Sequence, residues 1–223
     1  MSRRGPVVVL DGPAGSGKST VAKLLARALG VPHLDTGAIY RAVAYHMDSK
    51  GIPPEDSELL LRELEVTRVE VSQGFVRVNG EDVTREIRTP HVDSIVSHYA
   101  AIPAVRRALL GLQREQARDG IVAEGRDMAS VVFPDADVKV FLTASPEERA
   151  RRRHLERLSK GEDSDYQQVL RQVEERDRLD SQRECSPLKV DEGALVFDTT
   201  GLSVDEVVLA LEKEVRSRLV GRV

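Results

Sequence analysis

Gly12-Pro13-Ala14-Gly15-Ser16-Gly17-Lys18-Ser19-Thr20 is the stretch from which the rest of the chain can be read. It fits G-x-x-x-x-G-K-[ST], the phosphate-binding P-loop. Val7-Val8-Val9-Leu10 before it is a short β-branched run, as a buried strand requires. Val21 to Leu29 after it has helix-forming composition, with Gly30 as a stop. The glycines therefore sit on a strand-to-helix turn. There they let the backbone curl closely around a polyphosphate, and the helix N-terminus aims N–H groups at the anion. Lys18 is placed to reach the β- and γ-phosphates, and the Ser19 hydroxyl to bind Mg²⁺. The loop specifies a nucleoside triphosphate but not its fate.

The remaining apolar runs are Pro32–Leu34 leading to Asp35, Ile121–Ala123, Val138–Leu142 and Leu195–Phe197, with helical patterns between most of them. Alternating strands and helices predict an α/β fold, a parallel sheet covered on both faces. Ligands of such sheets bind beyond the carboxyl ends of the strands, here Asp11, Asp35, Glu124, Thr143 and Asp198. Ser145-Pro146-Glu147-Glu148 and Ser203-Val204-Asp205-Glu206 read as capping boxes that open helices. In the last helix Val204, Val207, Val208, Leu211, Val215 and Leu219 mark one buried face. Residues 65–85 break the pattern. Thr67–Val71 and Val76–Val78 alternate polar and apolar, Ser72-Gln73-Gly74 turns, and Asn79-Gly80 makes a hairpin. This predicts a small antiparallel meander inserted into the α/β frame, either a flap or a lobe over a second substrate.

The 223 residues suit one large domain or a core with small inserts. With 40% apolar and 31% charged residues the composition is that of a globular protein. No apolar run approaches the roughly 20 residues of a membrane span. Met1-Ser2-Arg3-Arg4-Gly5-Pro6 enters the first strand directly, which leaves no room for a signal peptide. The single cysteine, Cys185, permits no internal disulfide, so the expected location is the cytoplasm. A net charge of −4 counts against nucleic-acid binding. Arginine outnumbers lysine 26 to 7, which follows from base composition for most of them, so position must decide which matter.

Four clusters carry chemistry. Asp35-Thr36-Gly37-Ala38-Ile39-Tyr40-Arg41 puts an acid at a strand end, a capping Thr36, and a cation one helical turn on. Glu124-Gly125-Arg126-Asp127 leaves the sheet at its ligand-binding edge, with a carboxylate able to orient Mg²⁺ or its waters. In the helix from Ser164 to Cys185, steps of three and four carry the stripe Val169, Val173 on to Arg176, Asp180 and Arg183. Charges on a core-facing stripe imply a polar cleft, or pairing of the three among themselves. In the Arg149–Arg157 segment, Glu147 and Glu148 are spaced to pair with Arg151 and Arg152. Arg149, Arg153 and Arg157 form a row with no acid between them, which predicts a lid facing an anion. No His, Cys and carboxylate set has metal-ligand spacing, and no N-K-x-D element supports a guanine-nucleotide switch.

The P-loop, Leu34–Arg41, Gly125-Arg126-Asp127-Met128, Val132–Ala136 and Arg176-Asp177 before Ser186-Pro187-Leu188 together resemble bacterial cytidylate kinase over nearly the whole chain. Thr36 stands where relatives often have Ser, and Glu124 where Asp is common. The resemblance implies a five-stranded parallel P-loop core over 1–35 and 100–223, with a short helical lid near 150–165. It also implies a nucleoside-monophosphate-binding region over 36–99 that carries the meander. ATP would lie on Gly12–Thr20 with Arg149, Arg153 and Arg157, and Mg²⁺ on Ser19 with Asp35 or Glu124 through water. CMP or dCMP would meet Thr36, Arg41, Ser97, Arg106, Arg126, Asp127, Arg176, Asp180 and Arg183. Of these, Arg41, Arg126 and Arg183 would hold the phosphate, Arg176 and Asp180 the ribose, and Ser97, Arg106 and Asp127 the base. Lys18, Arg153, Arg126 and Arg41 would stabilise the moving phosphoryl group of a cytoplasmic monomer that binds neither nucleic acid nor membrane. The alternative is a P-loop kinase acting on another nucleoside monophosphate such as UMP, or on a small metabolite.

Overall fold

A computed structural model describes residues 5–72 and 74–220. The Met1–Arg4 lead-in and Gln73 of the expected turn lie outside them. The chain divides into two compact units: residues 1–34, 116–182 and 186–223, and residues 35–115 with 183–185.

The first unit is built on a five-stranded sheet. Its strands are β1 (Val7–Asp11), β2 (His33–Asp35), β6 (Ile121–Gly125), β7 (Val138–Thr143) and β8 (Leu195–Asp198), in the order β2-β6-β1-β7-β8. β1 runs parallel to both β6 and β7, and β7 parallel to β8. Every residue of β1 and of β6 is buried, which is why these strands are continuous apolar runs and not alternating ones. α1 (Lys18–Leu29) and α8 (Val204–Val220) cover one face, where Leu10, Leu25, Val140 and Leu211 are wholly buried. α1 stops at Gly30, whose left-handed backbone returns its N–H to Ala26 and Arg27. On α8, Val207, Leu211 and Val215 are buried as expected, but Val204 is exposed. It lies in the first turn, beside the reciprocal Ser203–Glu206 capping box. α6 (Pro146–Ser159), capped by Ser145, packs on α7 (Tyr166–Gln182) through Ala150, Val169 and Val173.

The second unit holds α2 (Thr36–Ser49), α3 (Glu58–Val66), α4 (Pro90–Ala101), α5 (Pro103–Glu115) and an antiparallel sheet. The sheet's strands are β3 (Val69–Ser72), β4 (Phe75–Val78) and β5 (Glu81–Asp82). Asn79 and Gly80 both have positive φ, as the two-residue hairpin turn demands. Val76, Val78 and Val83 bury against Ala38 and Ala42 of α2, so the meander shares a core with this unit and is not a loose flap. The unit runs on through α5, further than residue 99, because Arg106 of α5 lies over the Tyr40 ring of α2 and bonds Ala100 O of α4.

Candidate active site

The loop between β1 and α1 has the expected form. Gly12 has φ 149°, and a Cβ there would stand 1.9 Å from Leu142 O. No side chain caps α1, whose N-cap is Gly17 at φ 89°, so its first N–H groups are turned toward the loop. Lys18 is buried and curls over the loop, donating to Pro13 O at 2.7 Å. Burial and the neighbouring Arg126 and Arg176 cations hold its ammonium well below its ordinary pKa, against the pull of Glu124 and Asp11. A polyphosphate would relieve this stress directly.

Glu124, buried at the end of β6, accepts from Ser19 Oγ at 2.8 Å and meets His33 Nε2 at 3.1 Å. Asp35 is engaged elsewhere. It, and not Thr36, caps α2, accepting from Ala38 N at 3.1 Å, and its other oxygen accepts from Arg88 at 2.8 Å. Burial raises the Asp35 carboxyl, but Arg88, Arg41 and the cap bond outweigh it and hold the pKa below the usual range. Ser19 and Glu124 thus form a pair of oxygen donors beside Lys18, a set suited to Mg²⁺.

Arg126 donates through Nε to the buried Asp180 at 2.7 Å. Of the expected stripe, Asp180 is buried on α7 and Arg176 is half-buried, but the helix ends at Gln182, so Arg183 falls beyond it and within the second unit; the partner shown for Asp180 comes from the β6 edge. Asp127 is 2% exposed and begins a turn with π-helical bonding, since Val132 N reaches Asp127 O and Phe133 N reaches Met128 O. Asp11, at the end of β1, accepts from Met128 N at 2.9 Å and Ala129 N at 2.8 Å. Burial pushes its carboxyl up to about 6.

The expected arginine row on α6 divides. Arg149 is buried and bound bidentately to Asp177 at 2.9 and 2.5 Å, and also donates to Ala14 O of the loop and to Ala144 O. The anion facing it is a carboxylate of the protein, supplied by α7. Arg157 reaches Gln172. Glu148 takes both Arg151 and Arg152, and these bonds hold its pKa low. Arg152 also grips Thr199, whose hydroxyl lies 3.0 Å from Thr143 O and 3.3 Å from Ser16 O, so α6 is fastened beside the loop through a residue the sequence did not flag.

In the second unit Arg41 donates to Asp93 at 2.6 Å, passing close over Gly37, where a Cβ would meet Arg41 Nη1 at 3.0 Å. Thr36, Ser97, Arg106 and Arg183 are all buried there. Arg88, which the sequence reading passed over, joins Arg41 around Asp35. His33, Arg88 and Thr199 carried no local signal, because none belongs to a motif, while Asp11 stood out only as a strand end and Asp177 only beside Arg176. No helix of the described residues is long and apolar enough to cross a membrane.

The family model described as cytidylate kinase matches residues 8–217. A cytidylate kinase of Carboxydothermus hydrogenoformans is 48% identical over 92% of this chain and 94% of its own length. One from Geobacter sulfurreducens is 49% identical over 97% and 95%. Among solved structures, an uncharacterized protein from Eubacterium ventriosum aligns with TM-score 0.53 at 15% identity over 96% of this chain and 99% of its own. A gluconokinase from Sinorhizobium meliloti aligns with TM-score 0.50 at 18% over 99% of each. These two likenesses concern the fold alone.

Proposed function

We infer the chemistry of this site from one premise: the chain belongs to the cytidylate kinase family. It transfers the γ-phosphoryl group of ATP to CMP, giving CDP and ADP, with dCMP as a second acceptor. The observation that carries this is the family match over residues 8–217, which spans the P-loop together with every charged cluster singled out above.

The P-loop amides and Lys18 hold the donor phosphates, and Lys18 gains the charge partner that burial denies it. Ser19 and Glu124 would hold Mg²⁺, supported by their mutual hydrogen bond. When bound, the metal neutralises charge on the β- and γ-phosphates. Arg41, Arg126 and Arg183 take the acceptor phosphate, and Asp180 orients Arg126 through its Nε. Arg176 and Asp180 read the ribose. Ser97, Arg106 and Asp127 read the base. Cytosine offers an N4 amino group that a carboxylate accepts. Uracil would turn O4 toward Asp127, oxygen against oxygen, which disfavours UMP. A phosphate oxygen of CMP attacks the γ-phosphorus in line. That oxygen is already anionic, so the residues position and stabilise charge and need no strong general base. Arg153, with Arg126 and Arg41, stabilises the moving group. Arg149 serves instead as an anchor for the loop. The enzyme works as a cytoplasmic monomer.

A coupled ADP-release assay with CMP, dCMP, UMP and AMP tests this. CMP should be turned over best, and turnover of UMP equal to that of CMP would sink the assignment. Asp127→Ala should raise KM for CMP far more than KM for ATP.

A further inference from the structure

Asp11 is a buried carboxylate that no step above uses. It is the last residue of β1 and the one before Gly12, and it is 3% exposed. Its backbone is fixed on both sides, opposite Gly125 of β6 and Phe141 of β7. Its two carboxylate oxygens each accept one backbone N–H, from Met128 at 2.9 Å and Ala129 at 2.8 Å. Those residues are themselves buried and open a single π-type turn, a rare form that recurs at functional sites. Asp127 lies between this turn and the end of β6.

We propose that Asp11 is a positioning residue for acceptor-base recognition: its carboxylate fixes the Met128 and Ala129 amides and so sets where the Asp127 side chain stands. This rests on Asp127 as the reader of the base. The geometry also ties recognition to the donor loop, since the residue that grips the turn is covalently joined to Gly12. The carboxylate rests on a strand paired on both sides, so a small error at Asp11 is passed on to Asp127. Asparagine at position 11 has nearly the same shape but one acceptor oxygen. Its NH₂ group would face one of the two amides, and the turn would lose half its hold. At neutral pH the carboxyl is ionised and both oxygens accept, even though burial lifts its pKa to about 6.

Asp11→Asn and Asp127→Ala are purified and assayed in parallel with CMP and UMP at saturating ATP, and with ATP at saturating CMP. For Asp11→Asn the KM for CMP should rise and the CMP-over-UMP preference should fall, each by about tenfold, with KM for ATP within about twofold. A merely structural role would lower the melting temperature without this split. If Asp127→Ala abolishes the preference while Asp11→Asn keeps it, Asp11 does not position the reader and the proposal fails, although the reading of Asp127 stands. If Asp127→Ala also keeps the preference, the reading of Asp127 fails and takes the proposal with it. Should Asp11→Asn not fold, amide exchange in the wild-type protein decides. The Met128 and Ala129 amides should be protected as strongly as those of Val8 and Val9, and fast exchange would overturn the proposal.

Discussion

Replacing Asp177 by alanine separates two roles for Arg149. In one, Arg149 is a lid arginine waiting for ATP. In the other it is a strut whose charge is already spent inside the protein. The guanidinium is 3% exposed, bound by both oxygens of Asp177 and by the carbonyls of Ala144 and Ala14. Removing the carboxylate leaves a buried cation with only two carbonyl acceptors, and losing one member of a buried pair typically costs about 3–5 kcal/mol. The Asp177 side chain is 28% exposed, so water can reach the vacated place. The expected loss is therefore below that range, about 2–3 kcal/mol. In a chain of this size that lowers the melting temperature by roughly 5–10 °C. Urea unfolding followed by circular dichroism at pH 7 measures it. Arg149→Met combined with Asp177→Leu removes both charges and should be at least about 1 kcal/mol more stable than Asp177→Ala alone. A loss under about 0.5 kcal/mol for Asp177→Ala would show that the buried pair contributes nothing. Full stability in Arg149→Met, with a kcat fall of about a hundredfold, would return Arg149 to the phosphoryl group and refute the strut.

Three further outcomes follow from the same contacts. Asp11 has its carboxyl raised from 3.8 to about 6, so the folded state binds a proton more tightly than the unfolded chain. Its contribution is fully favourable below pH 4 and is lost as pH rises through about 6, a swing of about 3 kcal/mol that the difference between wild type and Asp11→Asn should show from pH 4 to 7; a pH-independent difference would contradict it. Glu124→Gln keeps an acceptor for Ser19 but removes the charge, and the Mg²⁺ concentration for half-maximal rate should rise by at least about tenfold, an unchanged requirement excluding Glu124 from the metal site. Gly12→Ala places a Cβ 1.9 Å from Leu142 O, which forces the loop off the β7 edge. Calorimetric unfolding should register more than about 3 kcal/mol of destabilisation with loss of ATP binding, and near-native stability would mean the loop yields freely.

Local rules settled much of this molecule before any tertiary contact was known. The P-loop glycines announce backbone angles and close approaches that other residues cannot adopt, and Gly12 confirms the reason. The apolar runs fixed five strands, of which β1 and β6 are wholly buried and β8 half-exposed, Asn79-Gly80 fixed a hairpin, and two serines fixed helix starts. Each depends on neighbours within a few residues, so the signal lies in the sequence itself. The burial of Asp180 on α7 was legible too, because it continues the stripe of Val169 and Val173, although the helix stops at Gln182, before Arg183.

Which charge meets which was not legible. Arg149 finds Asp177 across 28 residues, Arg126 finds Asp180 across 54, and Asp11 finds Met128 across 117. Spacing along the helix left open a polar cleft or pairing of Arg176, Asp180 and Arg183 among themselves, and showed no acid in the row of Arg149, Arg153 and Arg157. Sheet order and helix packing supplied the partners. The sheet order brought the ends of β1 and β6 side by side, and the packing of α7 on α6 carried Asp177 to Arg149. The sequence by itself determined that phosphates are held and by which loop. The tertiary structure alone decided which side chains are engaged as struts, because a charge pairs with whatever the fold places within about 3 Å, and local sequence carries no record of that distance.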